Sequence, residues 1–247
     1  MTKPHLKLAF LAAIGLAASA CATEPPAPSV DYAAILADPI RPEADRARDA
    51  DRRPAELVAF AGVRPGDKVA ELAPGGGYFT RVLSGVVGPD GRVYAIAGRP
   101  SPALLELATA RPNVVVTVAE PGMIQVPEPV DVVWTTLNYH DFKNATVGTG
   151  DGAAAINAAA YRALKPGGIY LVVDHDTALG AGASQTSTLH RIEGALVRRE
   201  VESAGFRLDA ESDLLRHPAD NHSAKVMETG IRGKTDQFVL RFRKPRG

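Results

Sequence analysis

The chain has a single cysteine, Cys21, and so no disulfide holds it together. It has no net charge, with 28 Lys and Arg against 28 Asp and Glu, which leaves no electrostatic footprint for nucleic acid; none is expected as a partner. Aromatic residues are scarce at 6%, whereas the 23 glycines and 19 prolines suit many strand-to-helix turns better than a β-sandwich. Long apolar runs are missing as well. Residues 8–18 form an apolar stretch too short to span a bilayer, and neither a transmembrane helix nor an internal repeat is expected. At 247 residues the chain can form one good-sized α/β domain.

What is present begins with an export signal over residues 1–20. Lys3 and Lys7 give a positive start, the apolar stretch follows, and Ala18-Ser19-Ala20 runs into Cys21. This junction resembles a bacterial lipoprotein box, with Ala18 where Leu is more usual. On that reading Cys21 becomes the lipidated first residue of a membrane-anchored periplasmic lipoprotein. The alternative is a soluble exported protein cleaved at the small residues Ala18 and Ala20. Residues 21–30, with Pro25, Pro26 and Pro28, form an extended tether. The charge-mixed segment 31–53 has little apolar surface and is expected to wrap the outside of a domain spanning 54–247.

Within that domain strands and helices alternate. Strands are expected over 68–73, 92–97, 114–118, 131–135 and 169–173, and helices over 54–61, 78–87, 102–110, 153–164 and 186–204. Such alternation implies right-handed crossovers and a parallel sheet. Two last strands, 206–215 and 237–243, have no helix between them and should pair antiparallel. The loop 216–236 is long enough to serve as a lid or binding loop.

The most informative stretch is Glu71-Leu72-Ala73-Pro74-Gly75-Gly76-Gly77, where the first strand breaks into three glycines before a helix. An acid at a strand end, followed by glycines that expose backbone N–H groups, suits a nucleotide-like ligand at the carboxyl edge of a parallel sheet. A dinucleotide fingerprint fits less well, because Thr80 stands where its third glycine would pack.

The glycine turn, the Lys165-Pro166-Gly167-Gly168 entry to the fifth strand and the antiparallel ending together resemble class I S-adenosylmethionine-dependent methyltransferases over roughly residues 54–243. The likeness is greatest to an exported group with Asn-Tyr-His-Asp and Asp-His after strands four and five. It implies a single doubly wound, mostly parallel seven-stranded sheet with an antiparallel terminal strand. It also implies S-adenosylmethionine as cofactor, held by Glu71, Ala73, Gly75, Gly76, Gly77 and Asn138, and a small-molecule or envelope methyl acceptor. Ala73 replaces the family's first glycine. Ala97 stands where an acid usually meets the ribose hydroxyls, with Arg99 close by.

Asn138-Tyr139-His140-Asp141 and Asp174-His175-Asp176 follow neighbouring strands, so both histidines should face one mouth. His140 or His175 is a candidate general base, oriented by Asp141 or Asp174. The alternative is that these residues cap loops and tie strand ends. His190 and Arg191, on the expected long helix, could reach the same mouth, but its polar outer face is the stronger expectation. A metal-assisted hydrolase is a further alternative on the donors His140, Asp141, Asp174, His175 and His190, but no recognised ligand spacing appears and no metal ligand is assigned. A binding or structural module that keeps the fold without the reaction remains the other alternative.

Overall fold

The computed structural model describes residues 30–247. The expected signal segment, the cleavage point and Cys21 lie outside the described residues. No helix among those described is long and apolar enough to cross a membrane.

The N-terminal segment folds into α1 (Tyr32–Ala37), α2 (Glu43–Arg46) and α3 (Asp49–Arg52), followed by α4 (Pro54–Ala61). Then come β1 (Lys68–Leu72), α5 (Tyr78–Val87), β2 (Arg92–Ala97), α6 (Pro102–Ala110), β3 (Val114–Val118) and β4 (Val130–Thr136). The chain continues through α7 (Tyr139–Asn144), the small hairpin β5 (Thr146–Val147) and β6 (Gly150–Asp151), α8 (Gly152–Ala163) and β7 (Leu164–His175). It ends with α9 (Gly194–Ser203), β8 (Arg207–Ser212) and β9 (Gln237–Arg243). Local chemistry explains several starts. Ser101 caps α6 by accepting from the Leu104 N–H, with Pro102 in the first turn, and Asp151 caps α8 through the Ala154 N–H.

Seven strands form one sheet in the order β3-β2-β1-β4-β7-β9-β8. The five strands from β3 to β7 pair parallel, and β9 runs antiparallel between β7 and β8. Alternate residues face opposite ways, as strand geometry requires. Val132, Trp134, Leu171 and Val173 join α4, α5 and α6 in one buried layer. Val133, Tyr170 and Val172 join residues of α7, α8 and α9 in the other. Both faces of the sheet are therefore covered, and its carboxyl edge is left to make a site.

Three expectations on this framework need correction. The helix expected over 186–204 begins only at Gly194. Ile192 and Val197 reach the core, but His190 adopts a left-handed φ of 57° and the buried Arg191 turns into the protein, which interrupts a helix there. The fifth strand runs further than expected, so Asp174 and His175 are its last residues rather than a loop after it. In the segment 31–53, Arg41 and Asp45 are buried. They are held there by ion pairs rather than by apolar area: Arg41 with Asp49 at 2.5 Å, and Arg81 with Asp45 at 3.0 Å.

Candidate active-site cleft

β1 and β4 lie side by side, and each is followed by a residue that does not favour the conformation it adopts. Ala73 has φ 49° and Leu137 has φ 62°, both left-handed. Such backbone costs of order 1 kcal/mol at a non-glycine residue and tends to persist at functional sites. The Asn138 side chain ties the two ends together, its Nδ2 donating to the Thr136 carbonyl at 2.7 Å and to the Ala73 carbonyl at 3.3 Å.

Between these ends opens a cleft of about 720 Å³. Of the residues expected to hold a cofactor, Glu71, Ala73, Gly75, Gly76 and Asn138 line it. Gly77 does not: a Cβ there would meet Leu107 at 3.2 Å and Leu104 at 3.4 Å, so this glycine lets α6 approach the start of α5. A Cβ on Gly76 meets nothing within 4 Å. Ala97 and the exposed Arg99 lie outside the cleft, and Ser101 closes that side by donating to the Gly75 carbonyl at 2.9 Å.

Glu71 is buried at the base, where it accepts a hydrogen bond from Thr80 Oγ1 at 2.6 Å. Burial pushes its carboxyl up to about 7, against the opposing pull of Thr80, Arg52 and Arg81. Since the folded value lies above the ordinary 4.5, the stability linked to this group is greatest below pH 4.5 and declines as pH rises through 7. Glu71→Gln removes the charge and keeps the shape. It is expected to be more stable than the parent by about 2–3 kcal/mol near pH 8, and no different near pH 4.5, in urea unfolding at the two pH values.

Of the residues with expected catalytic roles, His140, Asp141 and His175 line the cleft, while Asp174 lies beneath it with 0% exposure. Asp174 thus acts through its neighbours. Its carboxylate accepts from the His140 backbone N–H at 2.8 Å and from the His175 N–H at 2.8 Å, and it faces His140 Nδ1 at 2.8 Å. Burial disfavours a charged His140, but the hydrogen bond and charge of Asp174, helped by Asp141, outweigh it and hold the ring above the ordinary histidine value. His175 behaves oppositely. Burial pushes it down to about 4 despite Asp174, and its Nδ1 pairs with Thr235 Oγ1 at 2.7 Å. The two histidines are therefore shifted in opposite directions although they sit side by side.

The 216–236 loop, expected as a lid or binding loop, contributes Val226, Met227, Arg232 and Gly233 to the roof of the cleft. Sequence reasoning missed the other part of the roof, Arg48, Asp51 and Arg52 of the N-terminal segment. Arg52 lies 4.5 Å from the Tyr78 ring centroid and 5.3 Å from that of Phe79, with no hydrogen bond or carboxylate partner for its guanidinium among the described residues. Burial, reinforced by Arg48, lowers it to about 10, so it remains a cation facing the cleft. A charge-mixed stretch reads as solvated in sequence, and nothing in its spacing distinguishes Arg52 from its neighbours.

His190 also reaches the mouth, with its ring centroid 5.3 Å from that of His140, whereas Arg191 is fully buried; neither sits on the polar helix face expected. His140 and Asp141 lie on the first turn of α7, and His140, Asp141 and His190 bring their donor atoms within 4.8 Å of one another although their spacing matches no recognised ligand pattern.

No protein-family profile and no curated protein sequence matches the chain. Solved structures do match it in shape. A SAM-dependent methyltransferase from Aquifex aeolicus superposes with a TM-score of 0.59 at 18% identity, over 87% of this chain and 99% of that one. An arsenic(III) S-adenosylmethionine methyltransferase from Chlamydomonas reinhardtii gives a TM-score of 0.56 at 19% identity, over 89% and 74%. The [4+2]-cyclase SpnF gives 0.61 at 15% identity, over 80% and 82%. The strand order and these likenesses define the chain as having the class I methyltransferase-like Rossmann fold. The cyclase shows that this fold alone does not fix the chemistry.

Proposed function

We propose that the protein is an S-adenosylmethionine-dependent methyltransferase acting on a small-molecule or envelope acceptor. The observation that carries this reading is the glycine turn, whose Gly76 faces open space in a cleft that also holds a buried, paired histidine. Glu71, Ala73, Gly75, Gly76 and Asn138 are placed to hold the cofactor, and Arg52 offers an unpartnered positive charge to a ligand carboxylate. The fit is to the methionine end. On the adenosine side Ala97 supplies no acceptor for ribose hydroxyls, which at about 1.5–3 kcal/mol for such a bond implies at least tenfold weaker binding than a clamped site.

When bound, the cofactor supplies a methyl group already activated on its sulfonium. The protein's own tasks are to place the acceptor and exclude water. His140 is suited to take the acceptor's proton at Nε2, because Asp174 against Nδ1 fixes the ring and stabilises the imidazolium that forms. The loop residues Val226 and Met227 supply apolar wall against water.

His140→Gln is expected to lower methyl transfer by roughly a hundredfold to ten-thousandfold, while cofactor affinity stays within about threefold of the parent. Transfer of label from methyl-tritiated S-adenosylmethionine to envelope extracts measures it; unchanged transfer in the variant would remove His140 from the reaction. The export signal and the Ala18-Ser19-Ala20-Cys21 junction support, independently of the reaction, a location outside the inner membrane with an anchor at a lipidated Cys21. The mass of the mature N-terminus reads that point, and a free, unmodified Cys21 would refute the anchor.

The second reading is a protein that keeps the fold as a binding module without methyl transfer. Ala97 favours it, since the usual ribose partner is missing. On this reading the cleft binds an acceptor-like ligand and no S-adenosylmethionine.

A further inference from the structure

We propose that His140, Asp141 and His190 form a binding site for one divalent transition-metal ion of the zinc class at the mouth of the cleft. This goes beyond the methyltransferase reading and does not depend on it. The geometry is close to what the ion requires. His140 Nε2 lies 3.4 Å from Asp141 Oδ1, and His190 Nδ1 lies 3.7 Å from the same oxygen. Tetrahedral zinc with bonds of about 2.0–2.1 Å sets its ligand atoms about 3.3 Å apart. The two carboxylate-to-imidazole edges therefore already match within a few tenths of an ångström. The third edge, between the imidazoles, is within 4.8 Å and closes by rotation of side chains that have room to move: Asp141 is 55% and His190 32% exposed.

Three further features fit a metal better than a solvated pair of ions. First, Asp174 is wholly buried against His140 Nδ1, which fixes the proton there and leaves the Nε2 lone pair directed at Asp141 and His190. A carboxylate behind a histidine in this way is the usual outer support of a metal-bound imidazole. Second, His190 is held at φ 57°, a conformation with a steric cost for any side chain bearing a Cβ. The fully buried ion pair of the next residue, Arg191 with Asp220 at 2.8 Å, keeps the ring at the mouth. Third, the donor set is two imidazoles and one carboxylate, which suits zinc and its neighbours and leaves a coordination position free, as in catalytic rather than structural sites.

His140, Asp141 and His190 all line the cleft, so an oxygen, nitrogen or sulfur donor of a ligand there can complete the coordination shell. An ion on Nε2 takes the lone pair that His140 would otherwise offer to a proton. In metal-loaded protein a coordinated acceptor hydroxyl would have its pKa lowered and release its proton to solvent, and in metal-free protein His140 would take that proton as general base.

The test is a calorimetric titration of chelator-treated, dialysed, untagged protein with zinc, repeated with cobalt and followed by visible absorption. The expected result is one equivalent bound, with cobalt bands of tetrahedral intensity. His190→Ala and Asp141→Ala should each weaken binding more than tenfold while melting like the parent, and Asp174→Asn should weaken it about 10–100-fold. Substoichiometric binding, or equal affinity in the parent and in both His190→Ala and Asp141→Ala, would overturn the site. Titration of the metal-free protein with S-adenosylmethionine reads the methyltransferase proposal separately, so either can fail alone.

Discussion

Arg191→Met is expected to destabilise the protein by about 3–5 kcal/mol, a loss of roughly 10 °C in melting temperature for a domain of this size. Arg191 and Asp220 both have side chains at 0% exposure, the most deeply buried ion pair among the described residues. The guanidinium donates to Asp220 at 2.8 and 3.2 Å, to the Ala224 carbonyl at 3.0 Å and to the Asp176 carbonyl at 3.0 Å. Asp220 in turn accepts from the backbone N–H groups of Asp236 at 2.7 Å and His222 at 3.0 Å. Removing the arginine leaves a carboxylate buried with half of its compensation gone. Most of the cost comes from that stranded charge, so Arg191→Met with Asp220→Asn should recover part of it. Urea unfolding of the single and double variants measures both. A loss below about 1 kcal/mol in Arg191→Met would mean the pair is not what holds the 216–236 loop on the fold.

The effect should reach the cleft as well. Arg216 joins Asp176 at 2.7 Å and Asp236 at 2.9 Å, and Val226 donates to the Leu189 carbonyl at 3.2 Å, so one polar network fixes the cleft-lining residues Val226 and Met227 and the turn that carries His190. Without Arg191 the ion pairs left on the loop are partly exposed, each worth about 1 kcal/mol or less.

Gly76→Val is expected to abolish cofactor binding, by a hundredfold or more, with unfolding free energy within about 1 kcal/mol of the parent. The choice of glycine matters. Gly75 and Gly77 have φ of 58° and 83°, so a side chain there strains the turn and confuses loss of fold with loss of binding. Gly76 has no such conformation, and its Cβ enters open space in the cleft. Valine at that position fills the volume where a ligand would approach the backbone. Binding retained by a folded Gly76→Val protein would move the ligand away from the glycine turn.

Much of the fold was legible because each element carries its own pattern. The bounds of β2, β3, β9, α5 and α6 follow from alternating apolar residues punctuated by Gly, Pro and Ser caps. The glycine turn identified the cleft for the same reason, since consecutive glycines have little other use after a buried strand. Segment 186–193 misled because Leu189, Ile192 and Val197 are spaced as on a helix, while the deciding contact, Arg191 to Asp220, spans 29 residues and leaves no local trace. Asp174 stood out as an orienting acid but not by its place beneath the cleft, and Arg52 did not stand out at all, for a related reason. Whether a carboxylate lies under the cleft or a guanidinium over Tyr78 depends on which elements pack together. His190 joins His140 and Asp141 only through the folded position of a turn, so its donor set could not be recognised from spacing.

The central claim is that this cleft binds S-adenosylmethionine, and calorimetric titration of the purified protein with that cofactor tests it most directly. The account predicts saturable heat at one equivalent, with a dissociation constant on the order of 100 µM given the missing ribose partner at Ala97. The absence of any saturable heat at millimolar S-adenosylmethionine would contradict it.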